Sequence, residues 1–176
     1  MDRKLPFSPL KQAMSAQLGI EARGETTARA EHMLIIAVCD RLEAIADALP
    51  AAPSNESLSE LLALLRFGIP AHCRHEEQEL TSALAGNADA PRWLHHAAAL
   101  IKAEHMDNEN IMLELAEALE DYRNRVDRHG TTSTDVTADQ KGANALGYLI
   151  RHFFTQMRRH MAWEEKVIAE LRGSSD

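Results

Sequence analysis

Apolar residues recur at intervals of three and four residues along four long stretches of the chain, which is the spacing of one face of an α-helix. The stretches cover about 25–49, about 57–84, a third from about 89 to the polar segment 129–134, and about 137–171. Asp89 is a candidate cap for the third helix, and Pro91 fits its first turn. Four amphipathic helices in series predict an all-α, up-down four-helix bundle.

Each stripe supplies residues that we expect in the core. Pro70 interrupts the second stretch and should kink that helix, because proline has no backbone N–H to donate. The expected core residues are Ile35, Cys39, Leu42, Ala46 and Leu49; Leu58, Leu61, Leu65, Ile69 and Ala83; Leu94, Ala98, Ile101, Met112, Ala116 and Leu119; and Leu146, Leu149, Phe153, Met157, Val167 and Leu171.

Residues 1–24 have only weak periodicity and contain two prolines and two glycines. They predict an irregular N-terminal arm with room for one short helix, followed by a bundle domain at 25–172. The length of 176 residues suits a single domain, and the composition, 45% hydrophobic but only 5% aromatic, is typical of a helical globular protein.

The net charge of −8 and the lack of a basic patch argue against nucleic acid or an anionic membrane as a partner. No stretch reaches the roughly 18 apolar residues that a membrane span needs, and the N-terminus lacks the pattern of a signal peptide. We therefore expect a cytoplasmic protein. The two cysteines, Cys39 and Cys73, are too few for a disulfide framework or a thiolate metal cage.

Seven ionisable residues fall on the apolar stripes, where their burial is costly: Glu109 of the third helix and six that share a repeated pattern. A buried carboxylate without a partner costs on the order of several kcal/mol, and no lysine or arginine on the four stripes offsets the charge. The six are His32 in the first helix, His72 and Glu76 in the second, His105 in the third, and His160 and Glu164 in the fourth.

These residues belong to an internal repeat. The tetrapeptide Ala-Glu-His-Met at 30–33 recurs at 103–106, and the pattern H-x-x-x-E-E at 72–77 recurs at 160–165. A helical hairpin used twice, and packed about an approximate two-fold axis, would bring both single histidines and both His/Glu pairs to one level of the bundle.

Such a cluster predicts a dinuclear metal site. Two divalent cations bridged by both carboxylates would satisfy Glu76 and Glu164, while four neutral imidazoles complete the ligand set and leave open positions. Nitrogen and oxygen donors suit two iron ions, with manganese and zinc as alternatives. A lone core histidine is more often a hydrogen-bonded packing residue than a ligand, but the repeated pattern favours metal. Glu109, placed on the core face, and Glu79 are minor candidates for a further ligand.

The pattern resembles the hemerythrin-like (HHE cation-binding) domain over about residues 25–172. Members of that family carry one histidine on the first helix, H-x-x-x-E on the second, E-H on the third and H-x-x-x-E on the fourth. The resemblance implies that the iron ligands are His32, His72, Glu76, His105, His160 and Glu164.

Two positions depart from the oxygen-carrying hemerythrins. Those proteins have a second histidine on the third helix where this chain has Glu109, and an aspartate five residues after the last histidine where Glu164 stands four after His160. Both departures argue against reversible oxygen carriage, and the pattern is nearer to iron–sulfur cluster repair proteins of nitrosative stress. The E-x-x-H pairs of ferritin-like sites and the H-E-x-x-H of zinc peptidases are absent.

The leading functional prediction is a non-haem di-iron protein that binds or senses O2 or NO, or handles iron under oxidative or nitrosative stress. Two alternatives stay open: a di-iron oxidase or peroxide-handling enzyme, and an interaction or storage module that the metal stabilises. The expected partner is a small diatomic ligand, and a homodimer formed through the N-terminal arm also stays open.

Overall fold

The computed structural model describes residues 24–51, 53–87, 89–129 and 136–173, and nearly all of them are helical. The predicted all-α four-helix bundle is confirmed. Residues 1–23 of the predicted arm lie outside the described residues. The helical segments are α1 (Gly24–Ala48), α2 (Asn55–Ala63), a π-helical turn (Leu64–Gly68), α3 (Ile69–Gly86), α4 (Arg92–His129) and α5 (Val136–Gly173).

Four rods make up the bundle, because α2, the π turn and α3 follow one another without a break. Helix α5 packs against both α1 and α4, and α4 packs in addition against α3 and the π turn. Short connections at 49–54 and 87–91 return the chain in the opposite direction. None of the described helices combines the length and apolar character that a membrane span requires.

The predicted stripes face the interior, with one exception among the residues expected there. Ala83 is exposed, so its predicted place in the core is wrong. From Leu80 the buried face continues in a four-residue step to the half-buried Leu84, which takes the place predicted for Ala83.

A polar layer divides the core into two apolar clusters. Along α4, the small cluster holds Leu94 and Ile101, His105 follows, and the large cluster begins at Met112. The same order runs in reverse along α5, where His160 and Glu164 lie between Met157 of the large cluster and Val167 of the small one. The histidines and glutamates therefore occupy a level that is bounded above and below by apolar side chains.

In the second rod, the π turn lies between α2 and α3 and precedes the residues of the polar layer. The backbone N–H of Ile69 donates to the carbonyl of Leu64, five residues earlier, and Pro70 follows at once. In place of a simple kink at Pro70, the structure has a wider turn directly before the residue that lacks an N–H. His72 lies two residues further along the same rod.

Polar contacts between rods fix the register around the core. Arg66 in the π turn makes a two-pronged ion pair with Glu120 of α4, at 3.0 and 2.7 Å. Arg158 of α5 contacts Asp40 and Glu43 of α1, at 2.7 and 2.6 Å. The bidentate pair of Arg66 with Glu120 defines orientation as well as distance, whereas Arg158 reaches both of its carboxylates through one nitrogen, Nη2.

Candidate metal centre

Six side chains from all four rods meet inside the polar layer. Each is buried, with at most 8% of its surface exposed. They form two histidine pairs whose ring centroids are 5.1 and 4.9 Å apart. The first pair is His32 of α1 with His72 of α3, the second is His105 of α4 with His160 of α5, and the carboxylates are Glu76 of α3 and Glu164 of α5.

Each carboxylate faces both histidine pairs. Glu76 oxygens lie 3.6 Å from the Nε2 of His32, 3.4 Å from that of His72 and 3.8 Å from that of His105. Glu164 oxygens lie 3.4 Å from the Nε2 of His105, and 3.8 Å from those of both His160 and His32. This is the arrangement expected of carboxylates that bridge two ions, one beside each histidine pair.

Seven buried atoms of this cluster find no hydrogen-bond partner among the described residues. Four are the imidazole Nε2 atoms, one is an oxygen of Glu76, and two are the oxygens of Glu164. Buried polar atoms are nearly always paired, so a convergent group of this kind calls for a cation. The donor atoms fall into two groups in which every member lies within 4.8 Å of the others: His32, His72, Glu76 and Glu164, and then His105, His160 and Glu164.

The other ring nitrogen of three histidines faces a second layer of glutamates. Because a carboxylate oxygen can only accept, Nδ1 carries the proton in each contact, and Nε2 is left to point into the cluster. The Nδ1-to-oxygen distances are 2.8 Å from His72 to Glu31, 3.2 Å from His105 to Glu77 and 2.7 Å from His160 to Glu104.

The sequence-based predictions include no role for these outer glutamates, although all three of them lie within the internal repeat. Glu31 and Glu104 each come directly before a cluster histidine, and Glu77 is the second glutamate of H-x-x-x-E-E. A side chain one residue away from an inward-pointing one faces the neighbouring rod and not the bundle axis. A glutamate at such a position can therefore reach the histidine of that neighbouring rod.

The minor candidates lie outside the cluster. Glu109 is exposed, so its predicted position on the core face is wrong; the stripe steps from His105 to the buried Asn108 instead. Glu79 is exposed as well. The four other described histidines, His75, His95, His96 and His152, are exposed, and the side chain of His129 lies outside the described part of the chain.

The two inner carboxylates have opposite pKa shifts. For Glu164, burial and then the adjacent Glu76 carboxylate raise the pKa far above its ordinary value. Burial would raise the pKa of Glu76 too, but its interactions with His32 and His72 outweigh burial and lower it. Two carboxylates this close cannot both ionise without a cation, so in the metal-free protein Glu76 is charged and Glu164 keeps its proton.

The histidines also differ in charge. Burial lowers the pKa of His72, but the hydrogen bond to Glu31 and the interaction with Glu76 outweigh it and raise that pKa to about 9. Burial and the neighbouring His160 lower the pKa of His105. Without metal, His72 is therefore protonated at neutral pH, whereas His105 is neutral and ready to bind.

Comparison with known families places this geometry in context. The family model of the hemerythrin HHE cation binding domain matches residues 24–171. Comparisons with curated proteins and with solved structures gave no match. The matched segment contains all six residues of the cluster and the three outer glutamates, Glu31, Glu77 and Glu104.

Metal affinity should rise with pH. The raised pKa values of His72 and Glu164 mean that the metal-free protein holds protons which cations must displace, so binding strengthens as pH rises through the His72 pKa of about 9 and towards the Glu164 pKa of about 11. We expect Co²⁺ titrations between about pH 6 and pH 9 to show tighter binding at higher pH and release of about two protons per chain. An affinity independent of pH would contradict this protonation scheme.

The opposite pKa shifts of Glu76 and Glu164 predict that substitutions at these two positions destabilise the metal-free protein to different extents. Glu164→Gln replaces a protonated acid by an amide of the same shape, and we expect little change in the free energy of unfolding at pH 7. Glu76→Gln removes a charge that His72 and His32 stabilise, and should cost about 1–3 kcal/mol. Urea denaturation after chelator treatment measures both, and a larger loss for Glu164→Gln would refute the assignment.

Proposed function

The chain belongs to the hemerythrin HHE cation-binding family, and on that premise we propose that it holds two iron ions and uses them to bind or sense O2 or NO, or to handle iron under oxidative or nitrosative stress. The ligands in this proposal are His32, His72, Glu76, His105, His160 and Glu164. The observation that carries it is the convergence of seven partnerless donor atoms in a buried layer.

The donor chemistry supports iron. All the converging atoms are imidazole nitrogens or carboxylate oxygens, a set that suits iron, manganese or zinc. Cys73 packs in the large apolar cluster, and burial raises the pKa of its thiol, so it stays protonated and is a poor ligand. Paired ions bridged by two carboxylates, with histidines completing each position, are the arrangement that di-iron proteins of helical bundles use.

The ligand count supports exchange of a small molecule. Two imidazoles and the carboxylates of Glu76 and Glu164 would give each ion about four protein ligands, fewer than the six of an octahedral ion. Two ferrous ions held by these residues would supply two electrons and coordination positions open to a diatomic gas.

The surroundings favour a small ligand over a large one. Apolar clusters on both sides of the layer exclude bulk water from the six side chains. A groove of about 590 Å³ between α4 and α5 leads from the surface to His160, and Glu104, Asn108 and Arg159 line it. A diatomic gas fits such a route, while the buried layer itself leaves no space for a bulky substrate.

Metal content tests the first half of the proposal. We expect elemental analysis of untagged protein from iron-replete cells to give about two irons per chain, and the variant Glu76→Ala plus Glu164→Ala to lose them. The matched control is Glu79→Ala plus Glu170→Ala, which removes two exposed carboxylates from the same helices and should keep the iron. One zinc per chain, or no metal at all, would refute the di-iron assignment.

Gas reactivity tests the second half. The diferrous protein, exposed separately to O2 and to NO without air, should change its optical absorption in the stopped-flow spectrometer, because ligands to iron shift its charge-transfer bands. The control double variant should respond as the wild type does. Iron at two per chain with no spectral response to either gas would leave a metal-stabilised module and refute a gas-binding role.

A further inference from the structure

The second layer of glutamates follows the order of the rods around the bundle. Glu31 of α1 contacts His72 of α3, and Glu77 of α3 contacts His105 of α4. The next contact continues in the same direction: Glu104 of α4 contacts His160 of α5. Each contact therefore joins one rod to the next rod along the chain.

A fourth contact closes the circle with weaker geometry. Glu165 of α5 lies 3.9 Å from the Nδ1 of His32 on α1, beyond hydrogen-bond distance, and its side chain is 68% exposed. The three other glutamates are much less exposed, at 11% for Glu31, 25% for Glu77 and 30% for Glu104. Every cluster histidine thus has its own glutamate, and His32 has the loosest one.

We propose that Glu31, Glu77, Glu104 and Glu165 form an outer carboxylate ring whose first three members orient His72, His105 and His160 and whose charge favours trivalent over divalent ions in the centre. The ring acts through the histidines, so its members are positioning residues. The redox part rests on the proposed function, whereas the orienting part requires only that the cluster binds a cation.

Orientation follows from the hydrogen bonds. A carboxylate on Nδ1 fixes the tautomer that presents an Nε2 lone pair, holds the ring plane, and makes the imidazole a stronger donor. Loss of such a partner typically weakens metal binding by about 10–100-fold. The exposed Glu165 should contribute least, because solvent competes for its oxygens and its distance is the longest.

The charge preference follows from counting carboxylates. The ring and the inner pair together provide six, and the imidazoles are neutral when they bind metal. Six negative charges balance two trivalent ions and exceed two divalent ions by two. Exposure weakens the outermost charges of both signs: Glu165 is 68% exposed, and Lys102, 3.8 Å from Glu77, is 64% exposed. Around a buried centre, an excess of negative charge stabilises the oxidised state and lowers the reduction potential.

Substitutions at Glu104 separate orientation from charge. Glu104→Gln keeps an acceptor oxygen at the same reach but removes the charge, whereas Glu104→Asp keeps the charge but cannot reach His160. Using Co²⁺ as the probe, we expect metal-free Glu104→Asp to bind at least about tenfold more weakly than wild type. In the iron-loaded protein, Glu104→Gln should raise the reduction potential, and Glu104→Asp should shift it less.

Two control variants make the comparison specific. Glu114→Gln removes an exposed charge from the same helix about 15 Å along its axis, beyond the screening length in physiological salt, and should match wild type in both measurements. Glu165→Gln should show the smallest change of the ring variants. Circular dichroism of each metal-free variant checks that the bundle is intact.

The outcomes distinguish this proposal from the proposed function. If Glu104→Asp and Glu104→Gln have the same Co²⁺ affinity and the same reduction potential as Glu114→Gln, the role of the ring is refuted while the di-iron centre stands. If the wild type loads no iron, the proposed function and the redox role of the ring both fall, and the Co²⁺ affinities still decide whether the ring orients the histidines.

Discussion

The cost of burying Glu76 and Glu164 is the constraint on which the rest of the bundle depends. Both carboxylates lie between apolar clusters, and no described lysine or arginine pairs with them. Burial leaves two ways to reduce the cost: retention of a proton, which is what the raised pKa of Glu164 reflects, or binding of a cation. Binding of a cation requires the histidines around the carboxylates, and these come together only because the four rods pack in this register.

The sequence predicted most of the fold because each rod has a regular apolar stripe. Residues such as Leu42, Leu65, Met112 and Phe153 are buried as predicted. The same stripes located the six cluster residues, since an ionisable residue inside an apolar period is conspicuous. The internal repeat predicted that these six residues lie at one level of the bundle, and the structure places them at one level.

Two predicted inward positions were wrong because the apolar stripe could continue by a step of either three or four residues. At Glu109 and Ala83, the spacing allowed either choice, and only the packing of neighbouring rods decides which side chain faces inward. The outer ring was missed for a different reason. Glu31 and Glu104 sit off the stripes, and a single helix does not reveal which neighbour a flanking residue will touch. Contacts between rods depend on their order and rotation, which periodicity leaves undetermined.

The division of the core into unequal parts bears on how firmly the two ends of the bundle are joined. The small cluster contains six buried side chains, Leu80, Leu94, Ala97, Ile101, Val167 and Leu171, and it is separated from the larger one by the polar layer. So few side chains bury little apolar surface, and the small end therefore depends on the polar layer for part of its stability. Cations held in that layer would tie the small end to the large one, because all four rods supply residues to the cluster. Retention of metal and rigidity of the small end would then be a single property.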